Sequence, residues 1–294
     1  MESARSGEWF LHQATRTDAP RIAHLLKEAA LSHAHLDWHL PVDWIGSPGF
    51  VLCEAVAAAG AESQLLGCLA VGADPPPAAW VRVAALRSGG DGEQRLSEMI
   101  RATLPWLREK GVSLLGWLPT ELWPERWLAA AGLHIVNHIV TYALDRADFE
   151  TRNSGPATIR PAAATDMPLL AEIEEAAFDP LWRYSAQGLL LAQGRALSFE
   201  VAELGGRIVG FQYSVTGQDR QSAHLVRLTV SPGAQGRGVG SGLMASALEG
   251  YTRLGVKRVT LNTQLDNHSS QRLYERFGFR LLGDRAPVWA VDLG

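Results

Sequence analysis

The residues best placed to do chemistry fall in two short stretches of the second half of the chain. The first is Gln235-Gly236-Arg237-Gly238-Val239-Gly240-Ser241. It follows a run rich in β-branched residues, His224 to Val230, that reads as a strand. It precedes Leu243, Ala247, Tyr251 and Leu254, an apolar stripe at helical spacing that stops at Gly255. A strand, a glycine-rich turn and a helix N-terminus together make an anion site. Glycine lets the backbone approach a phosphate, and the first N–H groups of the helix point at it with the helix dipole behind them. Arg237 adds a full positive charge. Taken alone, the stretch could equally be a plain glycine-rich turn. No GxxxxGK[ST] is present, and the glycine rhythm lacks the third position of the dinucleotide fingerprint. The second stretch, Asp266 to Phe279, reads as a helix closed by Gly278. Asn267, Ser270 and Tyr274 stand at i, i+3 and i+7 and share one helical face. Asn267 could also be only an N-cap, and Tyr274 only a core aromatic.

Together the two stretches, Q-x-x-G-x-G after a strand and then N-x-x-S-x-x-L-Y-x-x-x-G-F, resemble the GNAT superfamily of acyl-CoA N-acyltransferases. The likeness covers roughly Thr158 to Leu293. It implies that Gln235, Gly236, Arg237, Gly238, Val239, Gly240 and Ser241 hold the pyrophosphate of acetyl-CoA, the acyl-donor substrate. It implies that Leu228, Thr229 and Val230 pair by backbone with the pantetheine arm, and that Asn267 and Ser270 face the donor. Tyr274 would protonate the leaving thiolate. The whole chain is similar to mycothiol synthase-type double-GNAT proteins, and Asn267 to Phe279 also resembles ribosomal-protein alanine N-acetyltransferases.

The reaction so implied is direct attack of a primary amine on the thioester in a ternary complex, and its acceptor would be a small-molecule amine or a peptide N-terminus. An alkylamine, with a pKa near 10.4, must lose a proton, and the departing thiolate must gain one. A tyrosine hydroxyl is protonated at neutral pH and can donate. For the general base, Asn262 stands where the ribosomal-type enzymes carry a glutamate. Counting back from the glycine turn puts His224 at the position used by histone-acetyltransferase-type members. Glu200, Glu203 and a water chain are alternatives, and a strand histidine can also be only a packing residue. The alternative to an enzyme is a non-catalytic acyl-CoA-binding or sensing protein.

The elements that must position these residues form half of an internal repeat. Arg16-Thr17-Asp18-Ala19-Pro20 is echoed by Ala164-Thr165-Asp166-Met167-Pro168, Leu66-Gly67 by Val209-Gly210, and Ala79–Leu86 by Ala223–Val230. Arg126-Trp127-Leu128 is echoed by Arg272-Leu273-Tyr274, and Thr141–Leu144 by Val288–Val291. The order in each half is helix, strands, helix, strand, helix, strand. That pattern gives an α/β fold class of two tandem GNAT-type domains, each a mixed central sheet flanked by helices. The expected domains are 1–148, a degenerate copy, and 158–294, which binds acetyl-CoA, with a polar linker at 149–157 holding Asn153-Ser154-Gly155-Pro156. In the first half Asp91-Gly92-Glu93-Gln94-Arg95-Leu96 stands against Gln235–Gly240, so two of three glycines are lost and acidic residues face the phosphate site. Leu128 stands opposite Tyr274. Eight of the ten tryptophans lie in this half, which suits a filled core, an interface to the second half or a pocket for an aromatic or carbohydrate ligand better than an open donor cleft.

Composition bounds the rest. The 294 residues suffice for two domains, and 47% hydrophobic with 20% charged residues is a globular balance. A net charge of −4 without a basic block argues against nucleic-acid binding. Apolar stretches are too short to span a bilayer, and the N-terminus lacks the layout of a signal peptide. Cys53 and Cys68 have no metal-like spacing, so no metal is expected, and a reduced, cytoplasmic protein is the expectation.

Overall fold

In the computed structural model, residues 5–6, 9–37, 39–56, 63–145, 155–217, 219 and 221–294 are described. The chain forms two compact units. Unit 1 is Met1–Val136 with Ala286–Gly294, and unit 2 is Asn137–Arg285. These units do not follow the sequence repeats, because the last strand of each repeat is exchanged. The strand His134–Asp145 (β8) runs into unit 2, and the strand Arg280–Asp292 (β14) runs back into unit 1. The expected linker falls mostly on residues outside those described; Gly155–Ala157 lead into the strand Thr158–Pro161.

In unit 2 the sheet order is β9 (Thr158–Pro161), β10 (Ser198–Leu204), β11 (Arg207–Thr216), β12 (Ser222–Val230), β13 (Arg258–Gln264) and then β8. All neighbours are antiparallel except β12 and β13, which run parallel. Asp166-Met167-Pro168 starts helix α4 (Met167–Ala177), with proline in the first turn, where its missing N–H leaves no bond unmade. Helix α5 (Ala186–Gln193) is capped by the Ser185 hydroxyl, which accepts from Gly188 N–H at 2.9 Å. Helix α6 (Val239–Leu254) follows the glycine turn and ends at Gly255, whose φ of +74° suits a residue without a Cβ. Helix α7 (His268–Arg276) follows Asn267. Leu225, Met244, Ala247, Tyr251, Leu261, Tyr274 and Phe279 form the core between sheet and helices. Burying such side chains is worth about 1.5–3 kcal/mol each.

Unit 1 repeats this plan with β2 (Trp9–Gln13), β4 (Phe50–Ala55), β5 (Leu65–Gly72), β6 (Ala78–Leu86), β7 (Leu114–Trp117) and the end of β14 in order. Helices α1 (Ala19–Glu28) and α2 (Gly92–Glu109) match α4 and α6. A short strand, β3 (Leu31–Ala34), pairs with β6. Cys53 and Cys68 are buried in β4 and β5, and burial pushes both thiols up to about 12, so neither is a nucleophile near neutrality.

Candidate active site

The site in unit 2 begins with a fault in the sheet. Tyr213 of β11 pairs with Arg227, but its neighbour Ser214 pairs with Leu225, so Val226 is an extra residue, a β-bulge. The parallel ladder between β12 and β13 covers only Ser222–Leu225 against Arg258–Leu261. Past the bulge the two strands separate. Leu228, Thr229 and Val230 become one wall of a cavity of about 710 Å³, with Gln264, Asn267 and Ser270 across from them.

The glycine turn closes one end. Gly236 and Gly238 have φ of +72° and +82°, the left-handed region that favours glycine, and a Cβ on Gly236 would meet nothing. Gly238 is the N-cap of α6 and offers no side chain to the first-turn N–H groups, which keeps them available to an anion. A Cβ on Gly238 would point at Pro156, 3.4 Å away, and not into the cavity. A Cβ on Gly155 would run into the Gly238 carbonyl oxygen, so the segment before β9 lies against the turn. Gln235 Nε2 donates to the Val230 carbonyl at 3.1 Å and ties the turn to the strand end. Asn267 is both N-cap and cavity wall: its Oδ1 accepts from Ser270 N–H at 3.2 Å.

Of the sequence-expected residues, Leu228, Thr229, Val230, Gln235, Gly236, Gly238, Val239, Gly240, Ser241, Asn267 and Ser270 line this cavity. Arg237 is exposed on the turn and is not among the lining residues. Tyr274 is 6% exposed, with Tyr142 and Phe279 at ring-centroid distances of 6.0 and 6.1 Å. It is not itself a lining residue; its hydroxyl shares a hydrogen bond with the side chain of Ser270, which is. Burial raises the Tyr274 pKa, opposed by that bond and by Arg227.

His224 is not brought to the cavity. It lies on the part of β12 still paired with β13, four residues before Leu228, or about 13 Å along an extended strand. Its Nδ1 sits 2.8 Å from Thr260 Oγ1, and burial lowers its pKa. The bulge explains the misplacement, because only residues beyond it face the separation. Glu200 accepts from Gln212 at 2.9 Å and Ser246 at 3.0 Å, Glu203 pairs with Arg160 at 2.7 Å, and neither lines the cavity. Thr141 Oγ1 donates to Asn262 Oδ1 at 2.9 Å, also outside it.

The family resemblance implies that Phe178 to Tyr184 is a substrate-facing segment; what the sequence did not reveal is the place of Glu175 in the opposite wall and the role of Arg227 in holding it. Glu175, Phe178, Asp179, Trp182 and Arg183, at and after the end of α4, line the cavity. Arg227 fastens this segment: its guanidinium lies 4.4 Å from the Phe178 ring centroid and 4.3 Å from that of Tyr184, and it donates to the Trp182 carbonyl. The signal was an arginine inside an otherwise apolar strand.

Residues 167–279 match the model of the acetyltransferase (GNAT) family. Mycothiol acetyltransferase of Pseudarthrobacter chlorophenolicus is 29% identical over 188 residues, which cover 62% of this chain and 46% of that protein. A Bacillus subtilis protein, named as a proposal a ribosomal-protein alanine N-acetyltransferase, is 26% identical over 129 residues, 44% of this chain and 84% of its own. The chain spans about half the length of the curated relatives it matches first. In fold it resembles a solved tandem GNAT protein from the clavulanic acid biosynthesis pathway, with a TM-score of 0.58 at 18% identity, covering 98% of this chain and 99% of the other. With the bulged strand, the glycine turn and the Asn267 helix all inside the matched span, residues 167–279 are an acetyltransferase domain of the GNAT family.

Proposed function

We propose that the chain is an acetyl-CoA-dependent N-acetyltransferase whose active site is the cavity of unit 2. One observation carries this reading: the cavity gathers the free edge of β12, the glycine turn and the polar face of α7. The turn and the α6 N-terminus suit a pyrophosphate, and the backbone edge at Leu228–Val230 suits the amide-bearing pantetheine arm. A primary amine then attacks the thioester carbon directly. The N–C bond forms, the C–S bond breaks, the amine gives up a proton and the thiolate receives one. Backbone N–H groups near Leu228–Val230 hold the carbonyl oxygen as it gains charge. Tyr274, linked through Ser270, supplies the thiolate proton. Glu175 and Asp179 on the facing wall take the place first given to His224 as acceptors for the amine proton.

The acceptor is a small-molecule amine or a peptide N-terminus, and the protein acts in the cytoplasm without nucleic acid. Among the described residues no helix is long and apolar enough to cross a membrane. The deciding experiment measures free thiol released from acetyl-CoA with a panel of small amines, aminoglycosides and peptides. Amine-dependent release supports the reading. Tight acetyl-CoA binding with no thiol from any amine would leave a donor-binding or sensing protein.

A further inference from the structure

The two units share their strand register residue for residue. In unit 2 the parallel ladder pairs Ser222 with Arg258 and Ala223 with Val259; in unit 1 it pairs Ala78 with Leu114 and Ala79 with Leu115. The bulge recurs at the same place, since Ala70 pairs with Val83 and Val71 with Val81, leaving Arg82 as the extra residue, the counterpart of Val226. The unit 1 strand therefore also leaves its parallel neighbour before Val83–Leu86, the counterpart of Arg227–Val230.

In unit 1 that edge is taken. Strand β3 runs antiparallel along it, with Leu31 opposite Leu86, Ser32 opposite Ala85, His33 opposite Ala84 and Ala34 opposite Val83. His35 N–H continues the ladder to the Arg82 carbonyl at 2.9 Å. The segment comes from just after α1, where unit 2 carries the cavity wall after α4. Trp123 Nε1 donates to the Ser32 carbonyl at 2.9 Å, and His33 Nδ1 lies 3.1 Å from Thr120 Oγ1. Val83, Ala84, Ala85 and Leu86 have no exposed surface.

The phosphate end is filled as well. Arg95, 2% exposed, donates to the carbonyls of Leu66 at 3.3 Å and Arg87 at 3.2 Å and pairs with Asp91 at 2.8 Å. A cation thus sits at the N-terminus of α2, and Asp91 is neutralised by it, in place of the unpaired acidic field that the sequence suggested. A Cβ on Gly92 would come within 2.9 Å of the Trp127 ring, which covers the start of α2.

We propose that the cleft of unit 1 has become a binding site for an extended peptide, that β3 is its built-in occupant, and that it takes no acyl donor. An extended peptide and a pantetheine arm offer the same amide donors and acceptors to a strand edge, which makes the exchange chemically direct. The count of one donor per chain rests on the function proposed for unit 2; the occupancy of unit 1 does not. The test combines hydrogen exchange on the full chain with acetyl-CoA titration by calorimetry. The amides of β3 are expected to exchange as slowly as those of β6 and to keep that protection at saturating acetyl-CoA, with one site titrated per chain. Fast exchange in β3, loss of its protection on adding acetyl-CoA, or a second site titrated per chain would overturn the proposal. Slow β3 exchange with no acetyl-CoA binding at all would uphold it and sink the function proposed for unit 2.

Discussion

Arg227 Nη2 lies 2.9 Å from Glu174 Oε2, an ion pair in which the carboxylate has no exposed surface. Thr229 Oγ1 donates to the other carboxylate oxygen at 2.6 Å, so the pair ties the end of α4 to the cavity edge of β12. Burial pushes the Glu174 pKa up, against the pull of Arg227 and Thr229. Removing one partner of a buried pair leaves an uncompensated charge, which destabilises by about 3–5 kcal/mol. Arg227→Met should lower the urea midpoint accordingly, and adding Glu174→Leu should restore much of it. A loss in the double variant equal to the sum of the two single losses would show that the pair is not coupled.

Tyr274→Phe should keep acetyl-CoA affinity and lower kcat by roughly 10²-fold, as loss of a general acid does. Calorimetry and steady-state rates separate the two effects. Wild-type turnover at saturating substrates would take Tyr274 out of the mechanism.

His224→Ala should leave the acidic limb of the pH–rate profile where it was, since the imidazole faces Thr260 and not the cavity. A displaced limb would return His224 to the chemistry.

Gly155→Ala should weaken acetyl-CoA binding about 10-fold or more although the residue touches no donor, because its methyl would displace the Gly238 carbonyl and with it the turn. An unchanged dissociation constant, read by calorimetry, would show that the turn holds its shape without that contact.

His33, buried on β3, has its pKa lowered to about 4, first by burial and then by repulsion from His35, with a backbone bond at Val81 opposing. The unfolded chain binds this proton near 6.5 and the folded one does not. The contribution is therefore full above 6.5 and is lost as pH falls from 6.5 toward 4, by up to about 3 kcal/mol. Urea melts of wild type and His33→Gln across that window test it; parallel pH curves would exclude His33 as the cause.

Much of this was legible in the residues. The glycine turn, the Asn267 face and the repeat were readable because each depends on neighbours in sequence: a cap, a turn, an i, i+3, i+7 face. His224 was misplaced because one bulge residue, Val226, decides which part of β12 meets the cavity, and an extra residue in a strand leaves no compositional mark. The strand exchange was hidden for a similar reason. Thr141–Leu144 and Val288–Val291 read as strands either way, and partner choice between like strands is settled by long-range pairing. Asp91 read as an exposed repelling charge because its partner, Arg95, lies one helical turn away and was not weighed against it.

The exchange of last strands also bears on how the chain comes to be folded. Unit 1 takes β14 residues Trp289–Asp292 beside Trp117–Leu114, and Leu293 accepts from Arg108 Nε at 2.9 Å. On the ribosome, the first unit to emerge therefore stays one strand short until the whole of unit 2 has been synthesised. In the interval the β7 edge is open, an unsatisfied template for the strands of other chains. Cutting the chain between the repeats would make that interval permanent, so two half-length fragments should meet the fate of unfinished nascent chains, and only together could they close both sheets.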